Sequence, residues 1–249
     1  MFKWPGRKIR PDYGVDAPGV VLAFLIIGIA GFLLGGLFRL LLADWQPALA
    51  GIVLGLGLWC TFWGFGTAGL MLGSSKIGKV YERERLLDRL YLRGSESVLD
   101  VGCGRGLLLT AAARRLPNGK ATGIDIWQTG DQSGNSPEAT MTNALAEGIP
   151  DRIEIVDGDA RKMPFESATF DVVVSSLTLH NIYKEIERRR ALAEIVRVLK
   201  PGGRLAILDI RHTAEYALFL EQLGLSEIRR SGLRFTIYPP VRIVTAVKI

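Results

Sequence analysis

The residues densest in chemistry lie at 98–106, Val-Leu-Asp-Val-Gly-Cys-Gly-Arg-Gly. Strand-forming residues flank Asp100, glycines stand at alternate positions 102, 104 and 106, and a leucine- and alanine-rich run follows from Leu107. The pattern predicts a buried strand, a tight turn and a helix N-terminus, the first unit of an open parallel α/β sheet. A side chain at those glycines would hold the backbone away from a ligand lying across the strand's carboxyl end. Leu107 replaces the third glycine of the dinucleotide fingerprint, which argues against a nicotinamide cofactor. Ligands of such sheets bind outside the carboxyl ends of the strands, so the residues there are the candidates. A second strand, 121–126, carries Asp125 near its end, at the spacing where an acid grips ribose hydroxyls. A third, 152–156, runs toward Asp159. A fourth, 171–175, leads to Ser175, Ser176, His180, Asn181 and Tyr183. A fifth, 204–208, leads to Asp209, Arg211 and His212. Both histidines of the chain fall on this edge, and imidazole titrates where a general base is most useful. They have no third ligand at regular spacing, so no metal site is expected.

The elements that must position these residues follow from periodicity and punctuation. Residues 79–92 read as a helix with one buried face, 107–116 as a second helix, and Ser136-Pro137-Glu138 as the N-cap, first-turn proline and acid of a third. Amphipathic stretches at 186–199 and 213–223 follow the fourth and fifth strands. The end of the chain, 227–235 and 241–248, predicts two antiparallel strands joined through Pro239-Pro240. The polar loop 127–136, with Gly130 and Gly134, suits either a mobile substrate lid or a solvated connection.

The first third of the chain is of another kind. Residues 20–43 hold one charge, Arg39, and 48–72 hold none. Each run exceeds the roughly 20 residues a helix needs to cross a bilayer, and only Asp44-Trp45-Gln46-Pro47 separates them. This predicts a transmembrane hairpin over 18–73, preceded by a basic tail, 1–17, lying on the membrane surface, and followed by a soluble domain, 74–249. Lys3, Arg7, Lys8 and Arg10 precede the hairpin, and Lys76, Lys79, Arg83 and Arg85 follow it, while the turn has no base. Both ends and the soluble domain are therefore expected on the cytoplasmic side of a cell (inner) membrane protein that crosses twice. A secretory signal ending at Ala48-Leu49-Ala50 would need a far shorter apolar region. Glycines at 31 and 35, 51 and 55, and 69 and 73 allow close helix packing, either within the hairpin or between copies in an oligomer. The net charge of +6 is not gathered into basic tracts, so nucleic acid is not expected as a partner. Cys60 and Cys103, one in an apolar run and one in the glycine turn, make no disulfide framework.

The ordered motifs 98–106, Gly123-Ile124-Asp125, Gly158-Asp159-Ala160, Pro164-Phe165 through Phe170-Asp171-Val172-Val173, and Leu199-Lys200-Pro201-Gly202-Gly203 resemble those of class I S-adenosylmethionine-dependent methyltransferases. The branch they most resemble contains the ubiquinone and menaquinone biosynthesis enzymes. The resemblance covers 76–249 and leaves out the hairpin. It implies a Rossmann-like seven-stranded α/β sheet whose final strand is inserted antiparallel, with S-adenosylmethionine as cofactor. By position, it implies that Gly102, Cys103, Gly104 and Gly106 pass under the methionyl part and that Asp100 orients the amino group. Asp125 would accept both ribose hydroxyls with Ile126 beside it. Asp159 would accept from the adenine amino group beside the Ala160 backbone, although a turn-capping role competes. Ser175 stands where a backbone carbonyl meets the methionine amine. His180 and His212 are the candidate bases, with His180 preferred because the segment after the fourth strand lines the acceptor pocket in that family and His212 precedes a helix. Tyr183 and Arg211 are candidates for orienting the acceptor. Ser175-Ser176-Leu177-Thr178 stands where an Asn-Pro-Pro-Tyr-like motif would point to nucleic-acid amino groups or protein glutamine. The expected acceptor is a small apolar or lipid-like molecule. The alternatives are a soluble nucleophile such as a thiol, and a non-catalytic protein that only binds the cofactor. The segment from Ser74 onward is expected to fold and bind cofactor alone.

Overall fold

The computed structural model describes residues 10–249. Helices α1 (Pro18–Leu42) and α2 (Pro47–Gly73) are both long and apolar enough to cross a membrane. Each carries a proline in its first turn, where the missing N–H has no intrahelical partner to lose. They fold back on each other along glycines. A Cβ at Gly57 would sit 2.5 Å from Gly31 O, and one at Gly64 would sit 2.6 Å from Gly28 N. Thr61 Oγ1 donates across the seam to Gly28 O at 3.1 Å. Of the three expected glycine pairs, only 31 and 35 face the partner helix, where they meet Gly57. Gly51, Gly55, Gly69 and Gly73 have no neighbouring atom in reach, because they lie on the outward face of α2. From α2 the helix runs on through a π-turn, Ser74–Gly78, into α3 (Lys79–Asp88), so one rod leads from the apolar span into the soluble domain.

That domain alternates strand and helix: β1 (Ser97–Val101), α4 (Leu107–Arg114), β2 (Lys120–Asp125), α5 (Pro137–Ala146), β3 (Ile153–Asp157), β4 (Phe170–Ser176), α6 (Glu185–Val198), β5 (Leu199–Asp209), α7 (Thr213–Gln222), β6 (Leu225–Arg230) and β7 (Arg242–Lys248). The sheet order is β3-β2-β1-β4-β5-β7-β6. The first five strands are parallel, and β7 inserts antiparallel between β5 and β6. Leu86, Leu87, Leu108 and Leu109 cover one face of the sheet over Val98, Val172 and Val174. Leu192, Ile195, Tyr216 and Leu220 cover the other over Leu99, Val173 and Ile207. Each such burial contributes about 1.5–3 kcal/mol before entropy is charged against it. The strands have apolar residues on both faces because helices cover both.

Two local expectations give way. The last pair of strands is shorter than its apolar pattern suggested. Beyond Arg230 the antiparallel pairing continues only through Ser231 N–H to Ile243 O and an isolated bridge between Arg234 and Val241, because Ile237 is drawn into the core while Arg234 and Thr236 turn their side chains to Glu82 on α3. The N-terminal segment also behaves differently. Part of the expected surface tail, residues 1–9, lies outside the described residues. The rest does not lie free: residues 12–17 form a strap across the soluble domain. Tyr13 is buried, its hydroxyl 2.9 Å from Thr110 Oγ1 and donating to Glu147 at 2.8 Å, and Lys79 Nζ donates to Tyr13 O at 2.7 Å. The physical reason is complementarity that charge counting along the chain does not see. Asp12 pairs with Lys76 and Arg105, and Asp16 with Lys79.

Candidate active site

Strand β1 delivers Asp100 to the sheet's carboxyl edge, and the turn after it is held by backbone bonds. Gly102 and Cys103 N–H both donate to Ile124 O, at 2.8 and 3.2 Å. Gly102, Gly104 and Gly106 all have positive φ, the left-handed region that costs a side-chain-bearing residue strain. A Cβ at Gly104 would lie 2.5 Å from Gln132 Oε1, and one at Gly102 would collide with Thr178. Cys103 turns its side chain inward against Gly123, so only its backbone faces the turn, and burial drives its thiol pKa up.

Asp100 is almost fully buried, and its Oδ2 has no hydrogen-bond partner among the described residues. Burial, with Asp125 adding repulsion, pushes its pKa up to about 8. An orphaned carboxyl oxygen beneath a glycine turn fits a cofactor that brings an ammonium group. Asp125 is also buried. Its Oδ2 accepts from Gly104 N–H at 2.8 Å, and its Oδ1 from Trp127 N–H at 2.6 Å and Asn135 Nδ2 at 3.2 Å. Asn135 Oδ1 is buried with no hydrogen-bond partner among the described residues. Ile126, next along, is exposed. Asp159 behaves otherwise. It accepts from Arg161 N–H at 2.8 Å and pairs with the Arg161 side chain, which holds its carboxyl below the usual range. This is a turn-capping geometry, and Ala160 lies half-buried beside it. Ser175 is fully buried inside β4, paired with Val101, and its hydroxyl donates to Val101 O at 2.9 Å.

The two histidines part company. After β4, a short turn, Leu179–Asn181, places His180 over the end of β5. Its Nδ1 lies 2.6 Å from Asp209 Oδ1, off the line of a straight hydrogen bond, and its backbone N–H donates to Asp209 Oδ2 at 3.0 Å. Asp209 is buried and held by Ile210 N–H at 2.8 Å and the Tyr216 hydroxyl at 3.2 Å. Burial and Asp209 together raise the Tyr216 pKa, so that hydroxyl stays a donor. Burial raises the pKa of Asp131 in the neighbouring loop, and His180 opposes that shift. His212 instead opens α7 as its N-cap residue and points Nδ1 at Glu215, 3.4 Å away. Tyr183 and Arg211 project from the same edge with exposed side chains.

The loop 127–136 reads as polar in the sequence, yet the fold bonds its second half into the domain. Asn135 reaches Asp125, and Gln132 Oε1 accepts from Arg105 N–H at 2.9 Å while its Nε2 donates to Tyr13 O at 3.1 Å. Ser133 N–H donates to Val15 O, and Ala17 N–H to Asp131 O. The loop is therefore one edge of a pairing whose other edge is the strap leading into α1. No local sequence signal marks Gln132, because its partners Arg105 and Tyr13 lie 27 and 119 residues away along the chain.

Residues 99–207 match the model of a methyltransferase domain family. A sterol 4-C-methyltransferase of Caenorhabditis elegans is 36% identical over 131 residues, 53% of this chain and 36% of that protein. A demethylmenaquinone methyltransferase of Staphylococcus aureus is 34% identical over 128 residues, 51% of this chain and 48% of that one. The chain has the fold of class I methyltransferases, and its central stretch is similar to a methyltransferase domain. The matched stretch spans about a third to a half of those relatives' lengths. Among solved structures, a SAM-dependent methyltransferase from Aquifex aeolicus superposes with a TM-score of 0.53 at 23% identity, covering 69% of this chain and 92% of that one. A geranyl diphosphate methyltransferase in complex with SAM superposes with a TM-score of 0.55 at 18% identity, covering 72% and 88%. The [4+2]-cyclase SpnF superposes with a TM-score of 0.57 at 22% identity, covering 68% and 81%, so the fold by itself does not dictate methyl transfer. The cofactor of this domain class is S-adenosylmethionine, and the orphaned Asp100 carboxyl and the glycine cradle fit its charged, extended end.

The raised Asp100 pKa has a signed consequence. An unfolded aspartate ionises near pH 4, whereas Asp100 in the folded domain holds its proton to about pH 8. The cofactor-free protein should therefore lose stability as pH rises through that window, because the native state binds the extra proton. A cationic ligand favours the ionised carboxyl, so cofactor affinity should rise between about pH 6 and pH 8, with proton release on binding. Titration calorimetry in buffers of different ionisation enthalpy reads that release. It should vanish in Asp100→Asn.

Proposed function

We propose that this chain is a membrane-anchored S-adenosylmethionine-dependent methyltransferase whose acceptor is a small apolar or lipid-like molecule. The observation that carries this reading is the attachment of the sheet's ligand edge to the hairpin. The strap entering α1 bonds to the loop 127–136 beside the glycine turn. The rod leaving α2 holds the 231–241 loop, which enters β7 opposite Asp209. With both spans in a bilayer, the carboxyl edge of the sheet faces its surface, and an acceptor dissolved among lipids has a short path to it. The sterol and demethylmenaquinone in the names of the two relatives are of this class. The Lys/Arg distribution supports a cytoplasmic domain, with 74–249 as the methyltransferase unit and the strap added to it.

When bound, S-adenosylmethionine supplies a methyl group activated by its sulfonium. Asp100 would hold the amino group and Asp125 the ribose hydroxyls, with Asn135 keeping the Asp125 carboxylate in place. The backbone of residues 102–106 gives close approach, while Ile126 and the Asp159-Ala160 turn border the adenine side. Ser175 fixes Val101 at the end of β1. His180, its orientation set by Asp209, would take the proton that a phenol, enol or thiol acceptor loses at its Nε2. Tyr183 and Arg211 are free to meet the acceptor. His212 serves α7.

The test is whole-cell lipid and metabolite profiling with a methyl-labelled donor pool, comparing wild type, a strain lacking the protein and one carrying Asp125→Ala. A labelled apolar product that disappears in both altered strains supports the reading. A labelled product confined to the aqueous phase replaces the lipid acceptor with a soluble nucleophile. Asp125→Ala should weaken cofactor binding by about 1.5–3 kcal/mol, the loss expected of a charged acceptor.

A further inference from the structure

The loop 231–241 is pinned from inside and bare outside. Ile237 is 4% exposed and belongs to the core. The Arg234 guanidinium and Thr236 hydroxyl both donate to the buried carboxylate of Glu82, and Ser74 Oγ donates to Tyr238 O at 3.4 Å. A Cβ at Gly78 would collide with Thr236 O, so the loop lies directly on the rod at that residue. Its other apolar side chains face outward: Phe235 is 78% exposed and Leu233 50%. The rod adds Ile77 at 73% and Tyr81 at 50%, one helical turn apart. Lys76, Arg229 and Arg230 are exposed around them. Isolated exposed apolar residues need no explanation, but a cluster held by a buried ion pair at one place does.

Position decides what covers it. Gly78 lies five residues beyond Gly73, the last residue of α2. At about 1.5 Å per residue that is some 7 Å past the span. The polar headgroup layer on one side of a bilayer is about 5–8 Å thick. The loop is thus fastened to the rod at headgroup depth, and its outward residues are aromatic, aliphatic and basic, the types that favour that layer.

We propose that residues 233–238, with Ile77 and Tyr81, form a second membrane contact that dips into the headgroup layer beside the hairpin. This rests on the reading of α1 and α2 as membrane spans. Because β7 starts opposite Asp209, the contact also flanks the side of the site where His180 stands, and it gives the acceptor a rim that never leaves lipid.

The test uses the full chain in nanodiscs of phosphatidylcholine with a minority of phosphatidylglycerol. Cys60→Ser removes the exposed thiol, and Cys103 is buried. Phe235→Cys, Tyr81→Cys and, as control, Lys120→Cys at the opposite edge of the sheet are labelled with an environment-sensitive fluorophore. The labels at 235 and 81 should emit to the blue and be quenched several-fold more strongly by shallow nitroxide lipids than the label at 120. Watery emission at 235 and 81 from protein that alkaline carbonate does not extract overturns the proposal alone. Extraction of the wild-type chain by carbonate overturns the hairpin reading and the proposal with it. A blue shift that appears only with two chains per disc assigns the patch to a second copy and also overturns it.

Discussion

His180→Gln should leave cofactor affinity nearly unchanged and lower turnover by about a hundredfold or more, the usual loss when a positioned base is removed. The expectation rests on how firmly the imidazole is aimed. Asp209 is buried in the last position of β5, and its two oxygens are shared among the Ile210 and His180 N–H groups, the Tyr216 hydroxyl and His180 Nδ1. A carboxylate so occupied is not free to turn toward substrate, so its role is to position the ring. Asp209→Asn should therefore reduce kcat with little change in KM for the cofactor, and Tyr216→Phe should do so more weakly. Only a neutral imidazole accepts a proton, so any loss of wild-type turnover in acid that comes from this ring should be missing in His180→Gln. His212→Gln should keep both rate and profile, because its ring is engaged with Glu215 at the head of α7. Near-wild-type turnover and pH dependence in His180→Gln would leave alignment of the reactants as the main catalytic device.

Most of this edge was legible because each strand announces its own end. Asp100, the three glycines and Asp125 follow short apolar runs, and a sheet with helices on both faces leaves ligands one edge to use. The hairpin was legible by length and composition alone. What could not be read were relations between distant segments. Nothing near Gln132 marks it, since its meaning comes from Tyr13 and Arg105. The apolar alternation at 227–235 suggested a longer strand because a residue turning toward Glu82, 152 positions away for Arg234, looks the same as one turning to solvent. Chain position already favoured His180, after the fourth strand, over His212, which precedes a helix; the buried Asp209 carboxylate beneath His180 was not legible.

The strap changes what a shortened protein should do. A chain beginning at residue 74 keeps every methyltransferase motif, but it loses Tyr13 from its buried seat and both groups that satisfy Lys79. That lysine is 4% exposed, bonded to Tyr13 O at 2.7 Å and to Asp16 at 2.9 Å, and burial already pulls its pKa down. Removing the partners of a buried charge costs about 3–5 kcal/mol, a large part of a domain's stability. The same cut releases Gln132, Ser133 and the Asp131 carbonyl, so the loop over the glycine turn loses one of its two edges. The fragment should therefore melt well below the full chain and bind S-adenosylmethionine about tenfold more weakly or worse, the effect of one or two lost hydrogen bonds at a site. Lys79→Met separates the two effects. In the fragment it removes the stranded ammonium and should restore much of the melting temperature, while cofactor affinity stays low because the loop remains untied. In the full chain, Gln132→Ala should lower affinity with little change in melting. Calorimetric titration and thermal unfolding of these four proteins in one detergent decide the matter. Equal cofactor affinity in the fragment and the full chain would show that residues 12–17 only brace the fold and that the cofactor edge is complete without them.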